Sequence, residues 1–80
     1  MKPFRFTRSS RRHRIGRASA RYVIEHTVPV KGTSGLTGET TYSWVGPDER
    51  GRELEIVGIE RPDCVLIVHV MPTHYRKGAS

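Results

Sequence analysis

Apolar and polar residues recur with two different periods along this chain, and the change of period divides it. Phe4-Arg5-Phe6 alternates as a short strand does. Thr7 follows with a hydroxyl suited to cap a helix. The spacing then predicts a polar surface helix over Arg8 to about Arg14, with Gly16 at a helix–helix junction. A second helix is expected over about Arg17–His26, turning Ala20, Val23 and Ile24, with Ala18 and Tyr22, toward a core. Arg17, Arg21 and Glu25 fall on its outer face, and Pro29 stops any continuation. Residues Lys31–Thr40 are rich in Gly, Ser and Thr without a period, which reads as a mobile loop.

Beyond that loop the period is two. Thr41–Val45, Arg52–Glu60 and Cys64–Met71 read as strands, separated by the turns Gly46–Gly51 and Arg61-Pro62-Asp63. Leu54 and Ile56 alternate with Glu53 and Glu55, giving one buried and one wet face. Cys64–Met71 is the most apolar strand and is expected at the centre of the sheet. The fold class expected is α+β, a short N-terminal strand and two helices followed by a three-stranded antiparallel meander. It forms one domain over residues 1–80, with a frayed tail at 77–80.

Charge changes the picture more than size does. Eight basic and no acidic residues lie in positions 1–24, against six basic and eight acidic in 25–80. Eleven of the fourteen cations are Arg, whose planar fork suits phosphate. A basic half on an 80-residue chain points to a nucleic-acid partner or an acidic protein segment. The longest apolar run, Val65–Val68, is far short of a membrane span, and Met1–Arg5 lacks the apolar core of a signal peptide. With one cysteine, Cys64, no internal disulfide is available; a cytoplasmic protein is expected.

No residue set suits a metal, because His69 and His74 are separated across Pro72 and Cys64 stands alone. Neither metal nor organic cofactor is therefore expected. The run His69 to Arg76 offers two imidazoles, the Tyr75 phenol and the Arg76 guanidinium within eight residues. Cleaving RNA without a metal needs a base for the ribose 2′-hydroxyl, a cation for the phosphorane and an acid for the leaving oxygen. Imidazole suits the proton steps because its ordinary pKa is about 6.5. Glu55 falls opposite His69 if the Pro62 turn has three loop residues, whereas a two-residue loop sets Ile56 there instead. Arg8, Arg11, Arg12, Arg14 and Arg17 form a phosphate grip, and Tyr42, Trp44 and Tyr75 are the aromatics available for stacking.

With these residues in place the chain resembles the BrnT toxins, a branch of the RelE-like ribonuclease toxins. The segment from Arg12 to Ala20 is similar to the family's Lys-His-Gly-Val-Ser-Phe-Glu-Glu-Ala, matching at His13, Ile15 and Ala20. Val45-Gly46 followed by Gly51-Arg52-Glu53-Leu54 is similar to its Ile-Gly, turn, Gly-Arg-Leu-Leu. Glu60 to Val68 resembles its Glu-Arg-Gly-Asp-Thr-Ile-Arg-Ile-Ile hairpin. The chain departs where the family carries Ser-Ala-Arg-Lys after the last strand: here stand His69, Val70, Met71 and Pro72, and Leu66 replaces an Arg.

The resemblance implies the toxin of a type II toxin–antitoxin pair, cleaving free or ribosome-bound mRNA and neutralised by a co-expressed antitoxin. His69, His74, Arg76, Tyr75, His13 and Glu55 are then the candidate catalytic residues. The alternative is a non-catalytic RNA- or protein-binding module on the same fold.

Overall fold

The segment Glu53-Leu54-Glu55-Ile56, with its clean alternation, lies in the middle strand of the sheet. A computed structural model describes residues 2–11, 13–35 and 37–74. Its elements among those residues are strands β1 (Phe4–Phe6), β2 (Val30–Thr33), β3 (Thr40–Pro47), β4 (Glu53–Glu60) and β5 (Val65–Pro72), and helix α1 (Arg17–His26). The spatial order is β1-β5-β4-β3-β2, antiparallel throughout except that β1 runs parallel to β5.

This five-stranded mixed sheet, with α1 alone as a helix between β1 and the rest of the sheet among the described residues, overturns the expected order of two helices followed by a three-stranded meander. Two segments account for the difference. The first expected helix is only a 3-10 turn, Ser9–Arg11, after which Arg14 takes a positive φ of 58°. Arginines three residues apart repel one another, and no apolar stripe is present to bury against the sheet. Ser10 instead bonds backward, its Oγ donating to the Thr7 carbonyl at 2.6 Å. Gly16 is accordingly the N-cap of α1 rather than a junction between helices. The second segment is the expected loop, whose first residues belong to β2 and pair with β3 from Val30↔Ser43 to Thr33↔Thr40.

The helix packs against one face only. Ala20, Val23 and Ile24 meet Trp44, Leu54, Ile56, Ile67 and Val70 there. Ala18, expected to face inward, is exposed, and Tyr22 is half-buried and stacks on His26 at 3.9 Å between ring centroids. Gly58 lies on this covered face, where a Cβ would stand 2.9 Å from Val65 Cγ1 and 3.3 Å from Trp44 Cζ3. Substitution of Gly58 by Ala is expected to cost about 1–3 kcal/mol through overpacking, measured as a shifted urea midpoint with unchanged slope. A cost below about 0.5 kcal/mol would mean that the core yields at this point.

One further detail places the functional residues. The β4–β5 hairpin closes with the Arg61 amide donating to the Cys64 carbonyl at 2.8 Å, leaving a two-residue loop, Pro62-Asp63. Pairing runs Glu60↔Val65, Ile59↔Leu66 and Gly58↔Ile67, then jumps to Val57↔His69. Val68 is the extra residue of a β-bulge. Before it the odd-numbered Ile67 faces the helix; after it the even-numbered Val70 does, and both are buried.

Candidate functional site

The bulge turns His69 onto the sheet face that α1 does not cover. Two residues along β4 from its partner Val57, Glu55 shares that face, and its Oε1 lies 3.3 Å from His69 Nε2. Neither expected pairing holds, since His69 opposes neither Glu55 nor Ile56; the bulge produces a diagonal contact instead. The two side chains are partly shielded, 35% exposed for His69 and 18% for Glu55, and Nε2 itself is closed to solvent. Nε2 has no hydrogen-bond partner, so its approach to Glu55 is that of an ion pair, present when the imidazole is protonated.

The basic segment runs along the same strand. The Thr7 amide donates to the Ile67 carbonyl at 3.0 Å, and Ser9 Oγ donates to the Val68 carbonyl at 3.3 Å. Arg8 is thus held between two bonds to β5, at the bulge and immediately before His69. Arg11 follows within the 3-10 turn, its amide bonded to the Arg8 carbonyl at 3.1 Å. Arg8, Arg11, Arg14 and Arg17 are all exposed, which leaves their charge open to a polyanion. Arg5, absent from the expected grip, is also exposed and sits in register with Leu66 on the uncovered face. Its signal in the sequence is the alternation itself, because Phe4 and Phe6 pack on the core and Arg5 must point away.

The remaining candidates are placed less closely together. His13 is half-buried in the bend between the 3-10 turn and α1, and His74 is exposed just beyond β5. Arg12, Tyr75 and Arg76 lie outside the described residues. Trp44 is buried in the core and is closed to stacking on a base; Cys64 is buried as well. Among the described residues no three His, Cys, Asp or Glu gather as metal ligands. No described helix is long and apolar enough to cross a membrane.

Sequence reasoning also missed a hollow on the helix side. Where α1 stops short of β1, Lys2, Pro3, Phe4, Arg21, Ile24 and Glu25 line a volume of about 310 Å³. Lys2 and Phe4 also line an adjoining hollow of about 230 Å³, where Tyr42 donates its phenol to Glu60 and Lys2 Nζ stands 3.4 Å from the same carboxylate. The Tyr42 bond and the Lys2 charge hold Glu60 below the usual carboxylate range, and the bond to Glu60 raises the Tyr42 phenol above its ordinary value. The two halves of the network are distant in sequence, so no local pattern announces it. The chain matches no protein-family model, no curated protein and no solved structure.

Proposed function

We propose that this protein is the toxin of a type II toxin–antitoxin pair, acting in the cytoplasm as a metal-independent mRNA endoribonuclease that inhibits translation and growth. The observation that supports it most directly is the His69–Glu55 pair, carried by the bulge onto an open sheet face beside the Arg8–Arg11 segment. In this reading Arg8, Arg11, Arg14 and Arg17 hold the phosphate backbone, with Arg12 completing the grip. His69, oriented by Glu55, takes the proton of a ribose 2′-hydroxyl, and the freed oxygen attacks the adjacent phosphorus. The 5′-oxygen leaves with a proton from His74, while Arg76 opposes the charge of the phosphorane. Tyr75 and His13 orient the substrate. The BrnT-like motifs quoted above supply the expectation of an antitoxin, and the basic N-terminal third suits an acidic segment in that partner.

A non-catalytic RNA- or protein-binding module is the second reading, favoured by the apolar side chains on the open face. Val57, Ile59, Leu66 and Met71 are each only half-buried there, and Val45 is exposed. Mapping of RNA 5′ ends after brief induced expression separates the two. Discrete new ends are expected with the wild type and not with a His69/His74/Arg76 triple-alanine variant. Absence of new ends with folded wild-type protein would overturn the catalytic reading. RNA binding that weakens, with a shallower salt slope, after Arg8 and Arg11 are replaced by Ala would then identify the binding module.

A further inference from the structure

The sheet ends on one side in an open strand that fits a second copy of itself. In the β2–β3 hairpin the Ser34 amide donates to the Glu39 carbonyl at 2.8 Å, marking that pair as hydrogen-bonded. Antiparallel pairs alternate, so Gly32 with Thr41 and Val30 with Ser43 are the bonded pairs within β2. The N–H and C=O groups of Lys31 and Thr33 consequently point outward, and no described strand pairs with that edge. All four residues of β2 are exposed.

The exposed large hydrophobic side chains collect at the same edge. Val28 is 88% exposed, Val30 71% and Val45 50%. Val30 opposes Ser43 on the uncovered face, and the same register carried two residues back sets Val28 level with Val45. Natural edges are guarded by charges that stand in the way of pairing. Lys31 is the one charge in β2; it opposes Tyr42 on the other face, where it helps to hold Glu60 down, and a pairing strand must set it against an uncharged residue.

We propose that β2 pairs antiparallel with β2 of a second copy, about a two-fold axis normal to the sheet at Gly32. In that register Lys31 meets the second copy's Thr33, and Thr33 its Lys31, as two pairs that each exchange both backbone bonds. The glycines meet on the axis with no side chains between them. An axis at Lys31 would set two ammonium groups face to face, and one at Val30 would set Pro29, which has no N–H, against Lys31. The chain carries a net charge of +6, and this edge is where that charge opposes a second copy least. The basic segment that follows β1 lies at the far edge of the sheet, so pairing through β2 keeps the two basic ends apart. The axis preserves faces, and both His69–Glu55 pairs therefore look to the same side of one continuous sheet. The inference does not depend on the RNA chemistry.

Sedimentation equilibrium of the full chain at concentrations up to about 500 µM tests it, because a short strand interface is expected to hold only in the micromolar range. The wild type is expected at twice its 9.1 kDa mass at the upper end of that range. Thr33→Pro removes an outward N–H and none of the hairpin's own bonds, so it should weaken the dimer at least tenfold while the circular dichroism spectrum is kept. Val30→Lys should weaken it comparably and checks that the effect is not peculiar to proline. A wild type that stays monomeric throughout would overturn the proposal and leave the edge to an extended segment of another protein. A dimer indifferent to both variants would overturn it as well.

Discussion

Alanine at His69 is expected to slow RNA cleavage by about a hundredfold to ten-thousandfold, the usual contribution of a positioned general base. Affinity for RNA should change less than about twofold, because the proposed phosphate grip, Arg8 to Arg17, lies between β1 and the first turn of α1 rather than on β5. Single-turnover cleavage of a defined RNA, measured beside equilibrium binding of the same RNA, separates the two quantities. Glu55→Gln keeps an oxygen near Nε2 but removes the charge that pairs with a protonated imidazole, so a smaller loss of rate is expected, about tenfold. Glu55→Asp shortens the reach of the carboxylate and tests position apart from charge. If the His69 variant cleaves at the wild-type rate, the diagonal pair is a structural contact and the catalytic reading fails.

The largest effect on stability is expected at Asp48, in the turn between β3 and β4. Its carboxylate is fully buried and accepts the Arg50 and Arg52 amides at 2.9 Å and the Arg52 Nε at 3.0 Å. Burial alone would raise this carboxyl, but the bonds from Arg52 and Arg50 and the adjacent guanidinium outweigh it and hold the group below its usual range. Asp48→Ala strands those donors around an emptied site and should cost about 2–4 kcal/mol. For a domain of this size that lowers Tm by roughly 10 °C or more. The dependence on pH has a definite sign. A carboxyl depressed in the folded state contributes its full stability above the unfolded value, near pH 4, and loses it as pH falls through the lower folded value. Thermal melts between pH 7 and pH 2 should therefore converge for wild type and Asp48→Asn as acid is added. Parallel curves would mean that the charge contributes nothing to the turn.

Local pattern made some elements readable and left others hidden for physical reasons. The helix α1 is found at Arg17–His26, where the spacing of Ala20, Val23 and Ile24 sets it, because a stripe that narrow has one helical phase in which it can be buried. In β4, Leu54 and Ile56 likewise fix which face packs. The strand β2 gives no such signal, since all of Val30-Lys31-Gly32-Thr33 is exposed and its pairing with β3 supplies the order. The parallel pairing of β1 with β5 joins residues about sixty apart, and nothing within either strand encodes it. The segment Arg8–Arg14 misled because its composition tolerates a helix while offering no surface to bury. For the candidate site, the residue types were legible at His69 and Glu55, but their meeting was not, because it depends on where one extra residue enters a strand.

That extra residue makes Val68 a phase shifter for the strand. Upstream of it, inward and outward positions follow one parity; downstream they follow the other. Straightening the strand with Val68 retained would turn His69 and Met71 beneath the helix and Val70 out to solvent, whereas deleting Val68 would close the ladder from Gly58↔Ile67 to Val57↔His69 and keep each of them on its present face. The protein's exposed chemistry on β5 is thus set by counting as much as by composition, and the same letters paired without the bulge would present the opposite surface.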